Sequence, residues 1–97
     1  MHDVFGSGKY SLKITSEYEL FGEWIKNRYV SEMRFETLEE AKGYMKRLMA
    51  TRAKSIAVDD CASEYVEQSP TDGCVMETEE TKSGPWRTRW LYTIEET

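Results

Sequence analysis

The sequence predicts a single small α+β domain, a mainly antiparallel sheet in a ββαββ-like order with one helix packed on one face. Three observations predict it. Residues 9–16, KYSLKITS, alternate apolar and polar side chains, the period of a half-buried strand. Residues 37–54, TLEEAKGYMKRLMATRAK, carry apolar groups at helical spacing behind a capping box. Residues 74–92 hold two alternating runs around Lys82-Ser83-Gly84, the chemistry of a hairpin.

Residues 1–8, MHDVFGSG, are expected to be a flexible leader ahead of a domain at 9–97. In the first strand Tyr10, Leu12 and Ile14 face a core, and Lys9, Ser11, Lys13 and Thr15 face water. EYELFGEW supplies a turn around Gly22, and IKNRYVSEMRFE forms the second strand with Ile25, Tyr29, Met33 and Phe35 on one parity. Thr37 is the expected N-cap, with Glu40 completing the box. Leu38, Ala41, Tyr44, Met45, Leu48 and Met49 form the buried stripe. Glu39 and Glu40 at the start and Lys46, Arg47, Arg52 and Lys54 towards the end complement the helix dipole. Gly43, inside the helix, suggests a close approach to the sheet.

Residues 55–73 fit two assignments: a short strand through Ile56 and Val58, or a short helix capped by Asp59 or Asp60 and carrying Ala62, Tyr65 and Val66. In the closing hairpin a three-residue loop with glycine in the left-handed region makes opposed residue numbers sum to about 166. That register pairs Glu79 with Arg87 and Glu77 with Arg89 on a wet face, and Met76 with Trp90 and Cys74 with Tyr92 on a buried one.

The 97 residues give room for one core. No apolar run approaches the roughly 20 residues of a membrane-spanning helix, and the first ten residues lack the apolar stretch of a secretory signal, so a cytoplasmic setting is expected. Cys61 and Cys74 stand far apart and His2 is the sole histidine. These read as two reduced, half-buried thiols, with a Cys61–Cys74 disulfide as the alternative, and no zinc site or other cofactor is expected. The catalytic arrangements that depend on a histidine beside serine or cysteine have no material to work with. GSGKY at 6–10 lacks the full phosphate-loop pattern and precedes a strand. An enzyme is therefore not expected.

Net charge is −5, and its distribution is uneven. Residues 37–55 hold five basic and two acidic groups, whereas residues 56–80 hold eight acidic groups and no basic one. Six of those carboxylates, Asp59, Asp60, Glu64, Glu67, Asp72 and Glu80, are left free by the predicted hairpin and form the expected partner-binding surface. The plainer account is that they serve solubility and face the basic helix of the same molecule. A second functional reading is a single-stranded RNA- or DNA-binding sheet that uses Trp86, Arg87, Arg89 and Trp90. The low isoelectric point, near 4.9, and the expected pairing of both arginines weigh against it. A third reading is a structural module that self-associates, for example as a homodimer, through an exposed sheet edge.

The strand hairpin, the helix start RFETLEEAKGYMKRL and the terminal strand GPWRTRWLYTIEE together resemble small bacteriophage early proteins, the host-takeover inhibitors and anti-CRISPR proteins. The resemblance implies a non-enzymatic protein that binds and blocks a bacterial defence or nucleic-acid-handling complex in the host cytoplasm. It brings no site residues with it.

Overall fold

The computed structural model describes the backbone of residues 2–97 and the side chains of residues 6–28 and 30–97. Along the chain lie β1 (His2–Gly6), β2 (Tyr10–Leu20), β3 (Glu23–Phe35), α1 (Leu38–Ala57), β4 (Ala62–Gln68), β5 (Asp72–Thr81) and β6 (Gly84–Glu96). The six strands form one sheet in the order β1-β3-β2-β6-β5-β4, antiparallel at every neighbour except the parallel pair β1·β3. The α+β class holds, but the order is βββαβββ. The expected leader contains an edge strand. The segment at 55–73 is neither of the expected alternatives, because α1 continues through Ile56 and residues 62–68 form β4.

The helix lies across one face of this sheet. Thr37 caps it as its sequence predicts: Thr37 Oγ1 accepts from the Glu40 backbone N–H at 3.2 Å, and the hydroxyl donates to Glu40 Oε1 at 3.0 Å. Ala41, Met45, Met49 and Ile56 are buried from the helix, against Leu12, Val75, Tyr92 and Ile94 from the sheet. Deleting a fully buried side chain such as Met45 costs about 2–5 kcal/mol. Gly43 has open space where a Cβ would stand, so it marks no close approach. The close approach occurs at Gly73, beneath Met49: a Cβ there would collide with Met49 Sδ and come within 2.7 Å of its Cε.

Leu12 is buried as expected, yet Ser11 is fully buried too, and its hydroxyl has no hydrogen-bond partner among the described residues. Tyr29, one of the expected inward residues of β3, lies outside the described side chains.

Two turns shape the end of the sheet beyond the helix. Leu20 opposes Glu23, so Phe21 and Gly22 alone make the β2–β3 turn, with φ of 52° and 80°. Two successive positive φ values are the signature of the tight primed hairpin turn, where Asn-Gly is the favoured pair. A left-handed conformation costs a residue with a Cβ about 1–2 kcal/mol, and Phe21 bears that cost.

In the β5–β6 turn Gly84 has the expected positive φ, 108°, but stands inside the ladder opposite Thr81. Opposed residues therefore sum to 165. That slip of one residue keeps the expected faces of β6 but exchanges those of β5, so Val75 and not Met76 or Cys74 joins the core. Glu77 opposes Thr88, Glu79 opposes Trp86, Met76 opposes Arg89 and Thr78 opposes Arg87. The Glu77–Arg89 and Glu79–Arg87 pairs do not form.

Candidate functional site

Alternation along β6 sends Trp86, Trp90 and Tyr92 to the helix side of the sheet and Arg87 and Arg89 to the other. On the helix side the Arg52 guanidinium lies 4.3 Å above the Trp90 ring, and Trp86 stacks on Tyr18 with centroids 6.1 Å apart and planes 9° from parallel. On the opposite side Arg89 Nε donates to Glu17 Oε1 at 2.6 Å and lies 4.1 Å over Trp24, while Arg87 pairs with Glu19 at 3.4 Å. The expectation that these arginines are engaged within the molecule holds, with carboxylates of β2 in place of those of β5. Indoles and guanidiniums of β6 do not share a face, so they do not make the interleaved stacking platform of the nucleic-acid reading.

The six carboxylates expected to bind a partner are all exposed. The structure divides them between the two ends of the sheet. Asp59 and Asp60 follow the helix, Glu64 lies near the start of β4, and Glu80 lies near the end of β5. These four share one end of the molecule, because Ala62 opposes Glu79 and Glu64 opposes Glu77. Glu67 and Asp72 lie towards the other end, where they line a cavity of about 340 Å³ with Cys74, Leu91 and Thr93. Asp72 to Glu80 is eight residues of strand, roughly 26 Å.

Local chemistry builds the acidic end. Asp59 accepts the Cys61 backbone N–H at 2.9 Å through Oδ1, and its own carbonyl accepts from Ala62 N at 3.1 Å, which turns the chain from α1 into β4. Cys61 O then accepts from Glu80 N at 2.8 Å, holding that turn against the end of β5. Glu64 and Glu77 oppose each other directly, a like-charge pair across strands. The Glu77 carboxyl is pushed above the ordinary carboxylate range, first by burial and then by the Glu79 and Asp59 charges, with Arg52 acting against them. None of Asp59, Asp60, Glu64 and Glu80 forms an ion pair among the described residues, and Lys82 in the adjacent turn does not reach them.

The two cysteines are free, Cys61 exposed and Cys74 partly buried, so only one is half-buried as expected. They lie near opposite ends of the β4–β5 pair, about 20 Å apart by strand length, which is beyond the reach of a disulfide. Burial pushes the Cys74 thiol up, away from the reactive thiolate form. Glu67 accepts the Tyr65 hydroxyl at 3.0 Å, which holds the Tyr65 proton more firmly than usual. Among the described residues no group of three His, Cys, Asp or Glu side chains is placed to hold a metal ion. Among the described residues no helix is long and apolar enough to cross a membrane.

The acidic end carries a second feature that the sequence reading missed. Leu20 is 39% exposed, Phe21 97% and Trp86 45%, and all three lie on the rim that ends in the β2–β3 turn. The signal was present in EYELFGEW, where two large apolar residues occupy the positions next to the turn glycine. No family model, no curated protein and no solved structure matches the chain.

Proposed function

We propose that this chain is a non-catalytic protein-binding module whose working surface is the acidic end of the sheet, and that it acts as a phage-type inhibitor of a bacterial defence or nucleic-acid-handling complex. The observation that carries the reading is the gathering of Asp59, Asp60, Glu64 and Glu80, exposed and unpaired with cations, at one end of a scaffold whose arginines are occupied elsewhere. Uncompensated carboxylates on a rigid support raise the encounter rate with a positively charged partner by about 10–1,000-fold at low salt. Surfaces that hold DNA phosphates are built from lysine and arginine, so fixed carboxylates are complementary to them.

The competing account has these acids answer the basic helix of the same molecule. Arg52 engages Trp90 and Tyr92, and among the described residues no helix cation forms an ion pair with these acids, which supports an outward role for them.

The test is affinity capture from a bacterial lysate followed by mass spectrometry, with two charge-reversed variants beside the parent. Asp59→Lys, Asp60→Lys, Glu64→Lys and Glu80→Lys together should lose the specifically retained protein. Glu67→Lys with Asp72→Lys, at the other end, should keep it. Equal retention by the fourfold variant, with its circular dichroism unchanged, refutes the reading.

A further inference from the structure

We infer that Phe21 is an anchor residue, seated in an apolar socket of a partner protein, with Leu20 and the Tyr18–Trp86 stack forming the floor around it. The inference rests on the reading of this end as the binding surface, but on its apolar residues and not on its carboxylates.

Phe21 serves the fold in no visible way. It is 97% exposed, so it contributes almost no burial, and its φ of 52° is one that side chains with a Cβ rarely adopt. Asparagine or glycine would make the same turn without strain. A residue that strains the backbone and buries nothing within its own chain points to a contact outside it. Its surroundings have the anatomy of an interface centre. Leu20, the residue before it, is partly exposed, and Trp86, exposed on the strand paired with β2, is held flat by its stack on Tyr18. Aromatic anchors on a rigid support, ringed by polar groups, dominate protein–protein binding.

The ring around this anchor is acidic. Glu23 flanks the turn on β3 and Glu79 opposes Trp86 on the neighbouring strand, whereas Glu19 on β2 is offset by Arg87. The occupant is therefore a protein whose apolar socket is bordered by lysine or arginine. An anionic lipid surface would be repelled by these carboxylates and by the net charge of −5. A second copy of the chain would bring the same charges against each other.

The test uses the full chain. A photoreactive benzoylphenylalanine is placed at position 21, and separately at Lys46 on the exposed side of the helix, for crosslinking in a bacterial lysate. The protein crosslinked through position 21 is then purified and titrated with the parent, Phe21→Asn and Phe21→Trp. Expected results are an adduct from position 21 and none from position 46, at least about a tenfold loss of affinity for Phe21→Asn, and near-parental affinity for Phe21→Trp. Phe21→Asn should also melt at a higher temperature than the parent, which separates lost contact from lost fold.

Unchanged affinity of Phe21→Asn overturns the inference, and so does an equal adduct from position 46. Sedimentation of the parent with phosphatidylcholine–phosphatidylglycerol vesicles, lost in Phe21→Asn, would transfer the anchor to lipid and overturn it as well. Self-association of the parent that disappears in the variant would do the same in favour of a second copy. Since Phe21→Asn leaves every carboxylate in place, loss of binding in the charge-reversed variant alone would sink the anchor and spare the acidic surface.

Discussion

Removing Arg89 tests the register of the C-terminal hairpin and the engagement of its arginines together. In Arg89→Met the Glu17 carboxylate, with a side chain only 11% exposed, loses the guanidinium 2.6 Å away. Breaking a fully buried pair this way costs about 3–5 kcal/mol, and an exposed pair is worth about 0.2–1 kcal/mol. Arg89 is 30% exposed, so the value lies between, about 2 kcal/mol, to which loss of the Trp24 contact adds about 0.5–1 kcal/mol. A domain of this size then melts roughly 10–20 °C lower. Glu17→Gln is milder, about 1 kcal/mol, because the stranded guanidinium can still reach water. Urea unfolding followed by tryptophan fluorescence of the two single variants and the double variant should give a coupling energy of about 1–2 kcal/mol. The same cycle with Glu77→Gln should give a coupling within about 0.5 kcal/mol of zero, because Glu77 lies on the other face of the sheet. Coupling of Arg89 to Glu77 and not to Glu17 would refute this register and with it the division of β6 into an indole face and a guanidinium face.

Two further outcomes follow from particular sites. Gly43→Ala places its methyl group in open space on the helix and should stabilise the protein by about 0.5–1 kcal/mol; a melting temperature equal to or below that of the parent contradicts the placement of this helix. Glu77 has a folded-state pKa above its unfolded one, so the folded protein binds the proton more tightly and stability falls as pH rises through the interval between them. Glu77→Gln should accordingly be more stable than the parent at neutral pH, by a margin that fades as the pH drops below that interval. A margin independent of pH would show that the carboxyl is unperturbed.

What could be read from the sequence was what local physics decides. The capping box of Thr37 and Glu40, the apolar stripe from Ala41 to Met49, and the alternation of Tyr10, Leu12 and Ile14 each depend on neighbours within a few residues, and the corresponding elements are present. The hairpin loop shows where such reasoning stops. Gly84 has the expected left-handed conformation, yet whether it counts as loop or ladder changes the register by one and turns β5 over beside an unchanged β6. β4 escaped notice because six of its seven residues are exposed, so neither parity carries an apolar signal. The carboxylates that engage Arg87 and Arg89 come from β2, 68 and 72 residues earlier, a pairing that no local pattern announces. At the candidate site the excess of acid was visible in residues 56–80, but its division between two ends of the sheet was not. The Phe21 anchor is legible only once its turn is known, because exposure and φ are properties of the folded chain.

Amide chemical-shift mapping would locate the proposed partner surface at one end of this sheet. Isotope-labelled protein titrated with the purified captured partner should show its largest shifts and broadening at residues 18–24, 59–64 and 79–86. Shifts concentrated instead on Arg87, Arg89 and their β2 partners, or around Glu67 and Asp72 at the opposite end, would contradict the account.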